Sequence, residues 1–146
     1  MKTFTLDEAQ SLLPVLESLL KRAIESKTAA EVIEAELSEL SRRIYVSGGM
    51  HIDVTKIAAQ RTAMKAHENR AREIVSEIDD IGVQLKDLDI GLLDFPCRVE
   101  DEVVLLCWKM GEESIDFWHT EESGFRGRQP VDDRFLRRAN SGNRPN

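Results

Sequence analysis

Residues 42–57 read RRIYVSGGMHIDVTKI, and the paired glycines near their centre decide how this chain folds. Glycine accepts the left-handed backbone in which helices end, so the segment Val46–Met50 interrupts whatever runs into it. Upstream, residues with a 3–4 spacing form one stripe: Ala9, Leu12, Leu16, Leu19, Ala23, Ser26, Ala30, Ile33, Leu37, Leu40 and Ile44. Only Ser26 is polar, and a repeat sustained this long is the seam of a coiled coil. Downstream, Asp53 is placed to cap a second helix with its own seam: Ile57, Gln60, Met64, His67, Ala71, Ile74, Ile78, Ile81 and Leu85. Folding back at Gly48-Gly49 sets Ile44 against Ile57, Leu37 against Met64, Ala30 against Ala71 and Ala23 against Ile78. Two seams of matching length about one break predict an antiparallel helical hairpin.

The first helix should begin at a capping box, with Thr5 and Glu8 bonding to each other's backbone N–H groups. Pro14 comes too late for a first-turn proline and predicts a kink, or a short helix followed by a long one. Near the open end the stripe widens to Leu12, Leu13, Val15, Leu16, Leu19, Leu20 and Ile24, opposed by Ile74, Val75, Ile78 and Ile81. A stripe that wide needs more than one neighbour. The base of the hairpin is therefore expected to pack on the chain beyond residue 82, or on a second copy.

After Gly82 the period becomes extended. Val83–Lys86, Leu92–Val99, Val103–Lys109 and Ser114–His119 read as strands, and VVLLCW, apolar on both faces, reads as the central one. The expected class is α+β: a long, coiled-coil-like antiparallel hairpin over residues 1–82, then a small antiparallel β-meander of three to four strands over 83–130. The meander should pack on the hairpin's open end, and residues 131–146, ending RRANSGNRPN, have the composition of a disordered tail.

Composition narrows the function. The 146 residues carry a formal charge of −7, distributed unevenly. Residues 91–125 hold 2 Lys/Arg against 9 Asp/Glu, whereas 126–146 hold 6 against 2. An acidic body weighs against nucleic acid as a partner, and Arg126, Arg128, Arg134, Arg137 and Arg138 supply basic character only near the end. The start MKTFTLDEAQ lacks a signal-peptide core, and no apolar run approaches the ~20 residues of a membrane span. Cys97 and Cys107 match neither a redox pair nor a zinc knuckle, so a reduced, cytoplasmic protein is expected.

The stretch LKDLDIGLLDFPCRVEDEVVLLCWKMGEESIDFWHTEESGFRGRQP, residues 85–130, resembles a bacterial family called domain of unknown function 2203, and FTLDEAQSLLPVL resembles that family's N-terminus. The resemblance rests on Lys86, Asp87, Gly91, Asp94, Phe95, Pro96, Cys107, Trp108, Gly111, Glu112, Trp118, His119, Gly124, Phe125, Gly127 and Arg128. It supports the fold reading and implies no reaction.

Three kinds of chemistry are open to the residues of the β-module. Asp87, Asp89, Asp94, Glu112, His119 and Glu122 offer oxygen and imidazole donors for a divalent metal, although their irregular spacing is equally that of turn and edge residues. Cys107 with His119 as base would make a nucleophile, but an aliphatic strand in an acidic module is a poor setting for a thiolate, and the structural reading of Cys107 prevails. Arg128, with Gly124 and Gly127 beside it, suits an anion clamp walled by Trp108, Trp118 and Phe125, with His119 and Lys86 as further polar contacts. The alternative for Arg128 is a clasp onto Asp87, Asp94 or Glu112. His51 and His67 read as solvated and seam residues. The leading expectation is a binding or interaction protein, a homodimer through the helical hairpin, with a small-ligand or anion pocket in the β-module. The alternative is a small metal-dependent or anion-substrate enzyme using the His119–Arg128 region.

Overall fold

Helix α1 spans Leu6–Ser47 and helix α2 spans Val54–Ile81, with Gly48 and Gly49 both at positive φ between them. The structure is a computed structural model and describes residues 1–49 and 51–136. Both caps form as the sequence predicts. The Thr5 N–H donates to Glu8 Oε1 at 2.8 Å, the Glu8 N–H donates to Thr5 Oγ1 at 3.1 Å, and Asp53 Oδ1 accepts from the Lys56 N–H at 3.1 Å. Helix α1 runs unbroken through Pro14. That residue is exposed, so the carbonyl left without its i+4 donor lies on the side where water can serve it.

The β region is one five-stranded antiparallel meander in the order β1-β2-β3-β4-β5. Its strands are β1 Gln84–Asp87, β2 Leu92–Val99, β3 Glu102–Lys109, β4 Phe117–His119 and β5 Gln129–Pro130. The fifth is a two-residue strand, too short to carry a pattern of its own. It exists because residues 120–128 loop back and lay Pro130 opposite Phe117. Strand β4 is also shorter than its sequence suggests, since Ser114 and Asp116 bond side chain to side chain in the turn before it.

The chain divides into two compact units, and the division falls within the helices. Among the described residues, the first unit comprises Met1–Leu20 and residues 75–136. There the wide stripe finds its second neighbour: the Phe4 N–H donates to the Pro96 carbonyl at 2.7 Å, and the Phe4 ring meets Phe95 edge-on at 5.8 Å. Gln10 Oε1 accepts the Ile115 N–H at 2.6 Å, tying the start of α1 to the segment before β4. Leu16, Leu20 and Ile78 are fully buried in this unit, each contributing roughly 1.5–3 kcal/mol of apolar transfer. Residues 131–136, placed in the tail by composition, are described too. They carry a helical turn, and Phe135 is buried against Trp118 with ring centroids 5.9 Å apart. The expectation of disorder for 137–146 lies outside the described residues.

The second unit is Lys21–Ile74, the Gly-Gly end of the hairpin. Leu37 and Met64 line one groove, as the spacing predicts, and Ile57 shares another with Leu40. Gln60 Nε2–H bridges the two helices to Glu36 Oε2 at 3.3 Å.

The β2–β3 connection fixes which residues of the sheet share a face. Val99 pairs with Glu102, so Glu100 and Asp101 form a two-residue loop, with φ of 49° and 68°. Two consecutive left-handed residues define the turn whose twist suits a hairpin, normally written Asn-Gly. Glu and Asp each hold that conformation under strain. Replacing Glu100→Asn together with Asp101→Gly should raise stability by about 1 kcal/mol, read as a higher urea midpoint at unchanged slope. An unchanged or lower midpoint would show that the turn carries no such strain.

Candidate metal centre

Residues directly paired across antiparallel strands point their side chains to the same face of the sheet. Because Val99 pairs with Glu102, Asp94 falls opposite Cys107, and Cys107 in turn falls opposite Phe117 on β4. His119, two residues along β4, shares that face. Leu93, Phe95, Leu106 and Trp108 point the other way, toward the side where Phe95 meets Phe4. One face of the sheet is therefore apolar. The other holds a carboxylate, a thiol and an imidazole.

These three groups converge. One ligand atom from each of Asp94, Cys107 and His119 lies within 4.8 Å of the others, and all three residues are buried. Asp94 is 2% exposed and His119 is 3% exposed. The imidazole is held at both nitrogens: Nδ1 lies 2.7 Å from the Thr120 carbonyl oxygen, and Nε2 lies 3.0 Å from Asp94 Oδ1. A carbonyl can only accept, so Nδ1 carries a hydrogen and donates it. Nε2 and the carboxylate oxygen then face each other with lone pairs available on both. One positive centre, a proton or a metal ion, must lie between them.

Cys107 completes the triangle as a protonated thiol. Burial pushes its pKa up to about 12, with the Asp94 carboxylate adding to the rise both as a charge and as the acceptor of its hydrogen bond. The Arg128 cation pulls the other way and is outweighed. A thiol so held is no nucleophile near neutral pH, and His119 offers its Nε2 to Asp94 rather than to sulfur. The cluster is unsuited to thiolate catalysis. As a ligand set it is well formed: sulfur, nitrogen and oxygen donors suit zinc and its neighbours in the transition series, whereas calcium and magnesium take oxygen. The Nδ1–H bond to a backbone carbonyl is the arrangement that orients a metal-binding histidine.

A strap from the end of the sheet closes over this face. Thr120 and Ser123 bond reciprocally, backbone N–H to side-chain oxygen, and a 3-10 turn at Phe125–Gly127 comes next. A Cβ on Gly127 would collide with the Ser123 side chain, so only glycine fits there. The strap delivers Arg128, whose guanidinium packs on the rings of Phe117, at 4.3 Å, and Phe125, at 4.8 Å. Arg128 Nη2 donates to the Cys107 carbonyl at 3.2 Å and to both Glu112 oxygens, at 2.8 and 3.0 Å.

The residues singled out from sequence thus separate into distinct places. Asp94 and His119 meet, and Cys107 joins them. Glu112 is occupied by Arg128 and by the Lys109 N–H. Asp87 caps its own turn through the Asp89 and Ile90 N–H groups, while Glu122 and Lys86 are exposed. Trp108 is buried and donates Nε1–H to the Glu112 carbonyl, and Trp118 is buried and donates to the Pro130 carbonyl. Neither indole leaves its polar atom for a ligand. Phe125 is 41% exposed over Arg128. Cys107 is the member that sequence reasoning set aside. Counting outward from a two-residue turn at Glu100-Asp101 would have placed it opposite Asp94.

The high thiol pKa has a pH signature. The folded state keeps the Cys107 proton where the unfolded chain has released it, so its stabilising contribution is complete below the ordinary thiol range and is lost as pH rises toward about 12. Wild type should therefore lose stability above about pH 8.5 more steeply than Cys107→Ala, by at most about 1.4 kcal/mol per pH unit. Urea melts of both proteins from pH 8 to 11 check this, and parallel curves would contradict the assignment.

Comparison with known proteins adds one positive finding. A family model described as an uncharacterized conserved protein matches residues 2–131. No curated protein matches the chain, and no solved structure does.

Proposed function

Because the chain belongs to the family of uncharacterized conserved proteins termed domain of unknown function 2203, we propose its function from geometry: it is a binding protein that holds one zinc-class divalent ion at Asp94, Cys107 and His119. The observation that carries this reading is the convergence of three unlike, buried donors, two of them in a contact that needs a positive centre. A tetrahedral ion with bonds near 2.1 Å sets its nitrogen and oxygen ligands roughly 3.4 Å apart, so the observed 3.0 Å asks for only a small opening. Binding would displace the thiol hydrogen of Cys107, since the thiolate is the ligand. A sulfur ligand of this kind also accords with the reduced, cytoplasmic setting expected from sequence.

Cobalt tests the reading directly. One Co²⁺ per chain should bind and give a near-ultraviolet thiolate-to-metal absorption. Cys107→Ser should abolish that band, and His119→Ala should weaken Co²⁺ and Zn²⁺ binding by more than about 100-fold. His67→Ala, on the hairpin seam, should change neither. Absence of binding at micromolar metal, or a full-strength band in Cys107→Ser, would refute the proposal.

A second reading concerns the hairpin: two copies pair through the unit Lys21–Ile74. Among the described residues of that unit only Ala23, Ser26, Ala30 and Ile74 are buried. Leu37, Leu40, Ile57 and Met64 remain half-exposed along a seam that two helices alone cannot cover. No described helix is long and apolar enough to cross a membrane. Light scattering at micromolar concentration should give the mass of two chains, and Leu37→Asp with Met64→Asp should give one. A wild-type monomer would overturn the pairing.

A further inference from the structure

Three protein donors leave an ion of this class with an open position, and the molecule holds a second group with an unmet need beside the same cluster. Arg128 Nε is buried and has no hydrogen-bond partner, although Nη2 of the same guanidinium makes three contacts. Buried N–H groups rarely lack an acceptor, so this one is free to take an acceptor from outside the chain. The guanidinium packs on the Phe117 and Phe125 rings, and because its N–H groups lie in its own plane a partner for Nε–H must approach at its edge. Phe117 is the direct cross-strand neighbour of Cys107, which places that edge on the sheet face that carries the cluster.

Resting on the metal reading above, we propose that a small carboxylate binds here, one oxygen completing the ion's coordination and the other accepting the Arg128 Nε–H. Charge decides the class of anion. A divalent ion with the Cys107 thiolate, the Asp94 carboxylate and a neutral imidazole is neutral, and Arg128 with Glu112 is neutral as well. A monoanion adds a single buried charge, whereas the phosphate dianion would add two. A carboxylate is also planar, with two oxygens to share between a metal and a fork of N–H donors. The site therefore selects a carboxylate on a small molecule.

Other acceptors do not fill the role. Glu112 is the nearest carboxylate to Arg128, and both its oxygens are engaged by Nη2. Asp94 faces His119 and Cys107. The strap from Thr120 to Gly127 is the element that must yield for entry, and the half-open Phe125 on its outer side is where a ligand would first meet the site.

The experiment uses the full chain loaded with Co²⁺ and titrated with acetate, with inorganic phosphate in a parallel arm. Acetate should perturb the visible d–d bands saturably in the wild type, and phosphate should do so more weakly. In Arg128→Lys, which keeps the charge but loses the Nε–H, the acetate affinity of the Co²⁺-loaded protein should fall at least about tenfold. Circular dichroism establishes that this variant is folded. Should it not be, the Arg128 Nε–H resonance of ¹⁵N-labelled wild type is followed instead, and acetate should shift it in metal-loaded but not metal-free protein. If the thiolate band forms but acetate leaves the spectrum unchanged, the carboxylate proposal falls and the metal reading stands. Equal acetate affinity in Arg128→Lys, stronger phosphate binding, or an unmoved Nε–H resonance also overturns it. If the thiolate band never forms, the metal reading has failed first.

Discussion

The pairing of β2 with β3 in one fixed register governs this molecule. Eight consecutive pairs run from Leu92–Lys109 to Val99–Glu102, and a slip of one residue would invert every side chain. In the observed register Phe95 and Leu106 face the side that meets Phe4, and Asp94 and Cys107 face the other. A slipped register would bury Asp94 among aromatic side chains with no partner, at a cost of several kcal/mol. The polar cluster thus punishes misalignment as strongly as the apolar face rewards alignment. The strained Glu100-Asp101 turn persists because both faces of the hairpin determine it.

The two faces of the sheet are covered by different parts of the chain, and each cover has its own chemistry. On the apolar side, ring packing and the Phe4-to-Pro96 backbone bond join the start of α1 to the central strands. On the polar side the cover is the strap, held by a cation packed on two aromatic rings and by its ion pair with Glu112. Arg128 is therefore both a clasp and a source of field at Cys107, since its charge opposes the rise in the thiol's pKa. The clasp reading of Arg128 and the clamp reading are compatible, because Nη2 performs the first and Nε remains for the second.

Much of the architecture was legible in the residues. The hairpin emerged from spacing and a double glycine because helix periodicity is local, and a seam of eleven positions leaves little ambiguity. Strands β2 and β3 were legible for the same reason. Strand β5 was not, since two residues acquire strand character only from the partner that the strap brings alongside. Phe135 was hidden in a polar tail, and nothing in its neighbours announces that Trp118 will receive it. Of the site, Asp94 and His119 were recognisable by type, while Glu112, Asp87 and Glu122 were indistinguishable from them in sequence. Which carboxylate meets the imidazole depends on strand register and face, long-range facts that residue type does not carry. Along the chain Cys107 reads as a small hydrophobe because its neighbours are aliphatic, yet across the sheet its β2 neighbour is the Asp94 carboxylate.

A buried cluster of this kind needs a reason beyond stability. Replacing buried ionic or polar groups by well-packed apolar ones of similar volume is often neutral or stabilising by about 1–4 kcal/mol. The sheet already has an apolar face, so three aliphatic residues at Asp94, Cys107 and His119 would serve a purely structural role at least as well. The network does not close on itself either. The Nε2–carboxylate contact at 3.0 Å needs a proton or a metal ion, and one guanidinium N–H lies nearby without an acceptor. A structural polar core is expected to satisfy all its members, because a half-satisfied one is worse than none. A place for a positive centre and an N–H without an acceptor, on one face, are what a metal ion with an anionic ligand would satisfy together.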